Sequence, residues 1–312
     1  MNQNIIMDGS KSTLYMNFSK SHRSAQGMTI WDDRMFIFYD TGVCSVYDLK
    51  SRNQESLASF KLDTYNPGIP NDDYKNHANS CMFSKLHYQG NPIPLLYITI
   101  GNGIGSDKDG FYYRCAVENI TNNISEDGRE EYQSKVLQII TYKPEGIEKV
   151  PYESPCWGCP SFLIDCDDGY LYIVSARYRT KRGCVPEGMK NAYIITKFKL
   201  PELPQNSDDF MTCLTPENIL DQFIIDSDVL FTQGGTLYNK RIYYTFGLPR
   251  KDYPDIIMVI DLDEKKLISE IHNLDEAFEY GELECCEVYH DQLLCNTNDG
   301  KIFVVNNTEK II

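Results

Sequence analysis

No stretch of this chain approaches the roughly 18 consecutive apolar residues that cross a bilayer as a helix, so no membrane span is expected. Tryptophan is nearly absent, at 2 residues against 22 Tyr and 14 Phe. Histidine numbers only 5 (His22, His77, His87, His272 and His290), and H-E-x-x-H and G-x-S-x-G are both missing. Metallohydrolase and serine hydrolase chemistry therefore have little to build on, and neither metal nor cofactor is expected. Positive charge is also in deficit: 30 Lys and Arg stand against 45 Asp and Glu, leaving −15. Such a chain repels phosphate backbones, which excludes nucleic acid as a partner. Helical signal is scarce as well. Only Thr215–Gln222 (TPENILDQ) carries a capping pattern with Pro at the first position, and it runs into the β-rich QFIID, so a short turn before a strand is expected.

What is present suits an ordinary soluble globular protein, with 42% hydrophobic and 24% charged residues. The tyrosines favour strands, where a flat ring packs on a pleated surface. The 11 cysteines are odd in number and irregularly spaced. Cys44, Cys81, Cys115, Cys166 and Cys295 fall inside apolar strand patterns, as small core hydrophobes in a reducing compartment would. The first residues show no basic start followed by an apolar run. A cytoplasmic protein is the favoured expectation, and an exported one with its leader removed is the alternative.

One pattern recurs five times: a small or polar start, an alternating strand, a tight turn, a second strand, a loop and a third strand. The copies span about 25–63, 77–143, 159–226, 232–274 and 282–306, and all but the last supply a fourth strand. Their first turns fall at Asp33, Asn91, Asp168, Lys240 and Asp291, spaced 58, 77, 72 and 51 residues apart. Four-stranded units of this size are propeller blades. The expected fold is all-β: one domain over 1–312, a five-bladed β-propeller of four-stranded antiparallel blades. The last copy lacks its fourth strand, and the segment 12–19 (STLYMNFS) is the candidate donor, closing the ring and removing an open edge.

In such a ring, inner-strand starts and the loops between second and third strands gather at one mouth of the channel. The starts are Gln26, His77 with Asn79, Ser161, Gln233 and Glu284, polar where burial favours apolar groups. Either these groups satisfy one another and trapped water, or they form a ligand site. The third blade's loop carries Arg177, Arg179, Lys181, Arg182 and Lys190, and the fourth carries Arg250 and Lys251. A basic rim on an acidic protein can steer an anion, although charge runs are usually solvated surface. The binding candidates are Gln26, His77, Asn79, Gln233, Arg177, Arg179 and Arg182, for a small polar or anionic molecule or a protein loop.

Other motifs carry less. Cys156-Trp-Gly-Cys159 lacks the second pair or the histidines of a zinc site, and a structural role is expected. Cys285 and Cys286 cannot share one side of a strand, so a split between channel and sheet core is expected. Gly101–Gly110 (GNGIGSDKDG) matches neither phosphate-binding nor calcium-loop patterns and reads as a surface insertion.

Phe231-Thr-Gln-Gly234, followed by a turn and RIYYTFG, resembles the FTQG inner-strand opening of the five-bladed glutaminyl cyclases of plants and bacteria, and Ala25-Gln-Gly27 repeats part of it. That family carries a catalytic glutamate in the inner strand one blade onward. Here the step lands on Glu284, which the resemblance implies as the proton shuttle of a cyclase- or lyase-like enzyme. The glycine after the family's glutamate and the tryptophans of its pocket have no counterparts here. Over more of its length the chain resembles uncharacterised propeller proteins of gut bacteria (Bacteroidetes-like), through its QG opening, Gly42–Leu49 (GVCSVYDL) and His77-Ala78-Asn79. That likeness implies the fold and no activity.

Overall fold

The computed structural model describes residues 5–20, 24–66, 78, 80–100, 114–178, 185, 187–205, 210–250, 252–308 and 311–312. These form five sheets arranged as a five-bladed propeller. Blade 1 consists of Ala25–Trp31, Arg34–Tyr39, Val43–Asp48 and Ala58–Lys61. Blade 2 has Cys81–Phe83, Leu96–Ile100, Arg114–Ile124 and Glu130–Tyr142, and blade 3 has Trp157–Asp165, Tyr170–Ala176, Ala192–Lys199 and Ile219–Asp226. Blade 4 comprises Thr232–Tyr238, Arg241–Phe246, Ile256–Asp261 and Lys266–His272. Blade 5 comprises Leu283–Tyr289, Gln292–Thr297 and Lys301–Val305, completed by Thr13–Asn17.

The burial pattern explains why these strands read as they do. Middle strands are covered by neighbouring blades on both faces, so Arg34–Tyr39 (RMFIFY) and Ile256–Asp261 (IIMVID) are almost continuously apolar and buried. The outer Lys266–His272 strand alternates, with Leu267, Ser269 and Ile271 inward. Between blades the core is aromatic: Phe36 meets Phe83 edge-on at 4.9 Å, Tyr142 meets Phe198 at 5.9 Å, and Tyr193 meets Phe246 at 5.0 Å. Blades 5 and 1 share Met28, Ile37, Leu294 and Ile302. The Pro216–Asn218 turn precedes the Ile219–Asp226 strand as expected, and Asn218 Oδ1 accepts the Thr215 backbone N–H at 2.8 Å.

Ring closure follows the expected route. Thr13–Asn17 pairs antiparallel with Lys301–Val305, in the register Thr13 to Val304 and Asn17 to Lys301. Two blades depart from the four-stranded antiparallel pattern. Ile5–Asp8 adds in parallel to Lys266–His272 of blade 4, so one short segment clasps two adjacent blades. Met211–Leu214, which lies between the third and fourth strands of blade 3, crosses to blade 2 and pairs in parallel with Glu130–Tyr142. A short helix, Leu274–Ala277, joins blades 4 and 5 and was not expected either. No described helix is long and apolar enough to cross a membrane.

Candidate functional site

The inner strands are interrupted at the polar openings. In four blades the register between first and second strands slips there: between Ala25 and Met28, Trp157 and Ser161, Thr232 and Gly235, and Leu283 and Cys285. A bulge of this kind kinks the strand and re-aims the extra side chain. The glycine of the first opening has its own reason. A Cβ on Gly27 would lie 2.3 Å from the carbonyl oxygen of Ala78, while its N–H donates to that same carbonyl at 2.7 Å.

The bulges bring Gln26, Gln233 and Glu284 to one mouth. Gln26 Nε2 donates to Glu284 Oε1 at 3.2 Å and to Ser24 Oγ at 3.0 Å. Gln233 Nε2 donates to the Gly247 carbonyl at 2.9 Å and to Glu282 Oε1 at 3.0 Å, and Asn298 Nδ2 donates to Glu282 Oε2 at 2.9 Å. Asn296 Nδ2 holds the Gln26 carbonyl at 2.8 Å. Gly247 sits at φ 127°, where a Cβ would be 2.5 Å from Asp255 Oδ1, so glycine lets blade 4's loop lie against that carboxyl.

Glu284 is 2% exposed, and its second oxygen, Oε2, has no hydrogen-bond partner among the described residues. Asp255 Oδ2 and Asn296 Oδ1 are buried and unpartnered too. Burial, reinforced by the Glu282 and Asp255 charges, pushes the Glu284 carboxyl well above the usual carboxylate range. Asp255 is pushed up to about 8 by burial and by Asp275 and Glu282. Burial raises Glu282 as well, against the Gln233 and Asn298 hydrogen bonds that favour its charged form. A carboxyl kept protonated in this way can donate from one oxygen while accepting from Gln26 on the other.

Other expected members behave differently. Ser161 is fully buried, accepts from Ser80 Oγ at 2.8 Å and meets the Tyr244 hydroxyl at 3.0 Å, a closed relay inside the core. Arg177 forms a two-pronged pair with Glu153, at 2.8 and 2.6 Å. His77, Asn79, Arg179 and Arg182 lie outside the described residues, as does the 101–110 insertion. Cys156 is a free, buried thiol pushed up to about 11 by burial. Among the described residues no group of His, Cys, Asp and Glu could hold a metal ion. The Cys285–Cys286 pair corrects the expected split. Both are fully buried, with Cys285 Sγ toward the Met28 carbonyl of blade 1 (3.8 Å) and Cys286 Sγ toward the Tyr243 carbonyl of blade 4 (3.5 Å). Each lies in an interblade core, and neither faces the channel.

The opposite mouth, ringed by the first turns, was not anticipated. Asp32-Asp33, Asn239-Lys240 and His290-Asp291 are two-residue hairpin turns with positive φ at both positions, a conformation Asn, Asp and His tolerate best. Behind them opens a cavity of about 520 Å³, lined in part by Thr29, Phe83, Tyr238, Glu287 and Tyr289. Glu287 Oε2 accepts from Thr29 Oγ1 at 3.1 Å, and Oε1 accepts from Thr236 Oγ1 at 3.1 Å and the Val288 N–H at 3.0 Å. Burial pushes this carboxyl up to about 7. The repeat held the signal: three residues after the openings Gln26, Gln233 and Glu284 stand Thr29, Thr236 and Glu287.

The fold and these two mouths define a β-propeller, a scaffold suited to binding. No family model matches the chain, and no curated protein matches it in sequence. Many solved structures are similar in outline. One is the glutaminyl cyclase of Myxococcus xanthus, 11% identical over 97% of this chain and 98% of that one, with TM-score 0.49. Another is the WD40 β-propeller domain of Doa1, 8% identical over 96% of this chain and 99% of that one, with TM-score 0.40.

Proposed function

We propose that this protein binds a small polar ligand at the mouth formed by the inner-strand starts, with Glu284, Gln26 and Gln233 as the recognising groups. The observation that carries the reading is Glu284 Oε2, buried and unpartnered among the described residues, on a carboxyl whose other oxygen accepts from the Gln26 amide. Leaving such an atom without a partner costs about 1–3 kcal/mol, a cost a bound ligand can relieve. With its proton favoured by burial, Glu284 donates to a carbonyl or similar acceptor on the ligand. Arg177 is engaged with Glu153, and the acids Glu282 and Asp255 share the mouth, which together favour a neutral, amide-bearing ligand over an anion. A cyclase-like reading is favoured by the same atom, since a protonated, desolvated carboxyl is suited to acid–base work on a carbonyl.

A glutaminyl dipeptide amide separates the two. Calorimetric titration is expected to give saturable binding that weakens about tenfold in Glu284→Met, which removes the donated hydrogen bond, and much less in Glu284→Gln, whose amide still donates. Ammonia assayed in the same samples stays at background for a binding protein. Release that vanishes in Glu284→Gln, whose amide cannot transfer a proton, assigns the enzyme instead, and binding indifferent to Glu284→Met removes Glu284 from either role.

A further inference from the structure

We propose that the opposite mouth is a second, separate site that takes an alkylammonium group, with Glu287 as its counter-ion and Phe83, Tyr238 and Tyr289 as its walls. The cavity there is about 520 Å³, ample for a small organic cation. Glu287 is fixed from behind by three donors: the buried hydroxyls of Thr29 and Thr236, and the Val288 N–H. The hydroxyls come from blades 1 and 4, so the carboxylate is held at the ring's centre by both neighbours of its own blade. Unlike Glu284 it is not fully buried, and Oε2, with one donor against two on Oε1, keeps acceptor capacity. A carboxylate oriented in advance, in a cavity lined by aromatic side chains, matches an ammonium ion, through charge-assisted hydrogen bonding and cation–π attraction.

The remaining charges fit. Lys85, a cation at the rim, is held on Asp167 at 2.5 Å, and Lys50 is held on Asp33. Asp32, Asp33 and Glu287 outnumber Lys85 among the charged lining groups, so the cavity's field favours a cation. Burial has pushed Glu287 toward neutrality, and an incoming ammonium restores its ionised form, which couples binding to release of a proton. The ammonium can belong to a free amine or to a lysine side chain of a protein; the recognising chemistry is shared.

The test titrates the full chain with n-butylammonium, with neutral n-butanol as a shape control, and with a lysine-containing peptide beside the same peptide acetylated on that lysine. Saturable binding of butylammonium, at least ~10-fold tighter than butanol, is expected, and loss of this preference in Glu287→Gln confirms the counter-ion. Tyr238→Leu, which leaves the Glu287 hydrogen bonds in place, is expected to weaken butylammonium a few-fold, so the proposal stays testable if Glu287→Gln folds poorly. A peptide that binds more tightly than butylammonium and loses this on acetylation identifies protein lysine as the source; equal affinities identify the free amine. Equal binding of butylammonium and butanol, or affinity unchanged in both variants, overturns the site. The glutaminyl dipeptide also carries an ammonium, so the two glutamates are substituted separately: dipeptide binding lost in Glu287→Gln alone belongs to this site, and failure here leaves the reading of Glu284 untouched.

Discussion

The two mouths of the channel use the same strand of the same blade in opposite ways. At the inner-strand start, Glu284 sits at a bulge with one oxygen unpartnered and two further acids raising its proton affinity. Three residues on, Glu287 has both oxygens held by hydroxyls and a backbone N–H, and its carboxyl rises only to about 7. Burial acts on both. What separates them is the supply of donors: three for Glu287 against a single glutamine amide for Glu284. Sequence distance along a strand is therefore a poor guide to a carboxyl's chemistry, and the neighbouring blades decide it.

The most drastic way to break the comparison is to remove the strand that completes blade 5, because both glutamates lie on that blade. Deleting residues 1–20 takes away Thr13–Asn17 and bares the edge of Lys301–Val305. The expected result is loss of soluble protein with a cooperative unfolding transition, read by circular dichroism. Deleting 1–8 alone removes only the parallel Ile5–Asp8 strand and is expected to lower Tm by a few degrees. A 1–20 deletion as stable as the full chain would dismiss closure by this segment.

A smaller effect isolates the acids of the first mouth. Asp255 is held at about 8 when folded, by burial and by Asp275 and Glu282, and ionises near 3.9 when unfolded. The folded chain therefore binds more protons between about pH 4 and pH 8, and this carboxyl's contribution to stability falls as pH rises through that window. Asp255→Asn removes the penalty. Its Tm is expected to exceed the parent's by roughly 5 °C or more at pH 8 and by much less at pH 4.5. A variant that loses stability equally at both values indicates that the carboxyl's packing outweighs its charge.

The smallest expected effect lies at the rim. Arg177 and Glu153 pair with good geometry, yet their side chains are 30% and 40% exposed. Solvent screening holds such a pair to about 1 kcal/mol or less. Arg177→Ala is expected to shift Tm by no more than about 3 °C and to leave dipeptide binding at Glu284 unchanged. A marked loss of that binding would move Arg177 into the site.

The repeat was legible because each blade buries the same strands in the same way, and its polar openings marked the bulges. That alignment put Gln26 level with Glu284, and the two side chains meet at 3.2 Å. Partners supplied from outside a blade were hidden. Met211–Leu214 carries too few residues for a period and crosses to another sheet, and Ile5–Asp8 pairs with a strand far along the chain. Glu282 and Asp255 were missed for a related reason, since each looks like an ordinary surface acid until blade 4's loop and blade 5's start are brought together. Glu287 was within reach, through the phase it shares with Thr29 and Thr236.

The clasp on blades 4 and 5 also sets a clock for synthesis. Thr13 is joined to the chain 291 residues before Val304, its partner in the closed ring. At about 5–20 residues per second, the strand that completes blade 5 waits roughly 15–60 s for anything to pair with. Throughout that interval Leu14 and Met16 belong to an unpaired strand on a nascent chain, and four blades can assemble as an open arc before the last can be sealed. Chaperone dependence of this protein should therefore concentrate on its N-terminal segment.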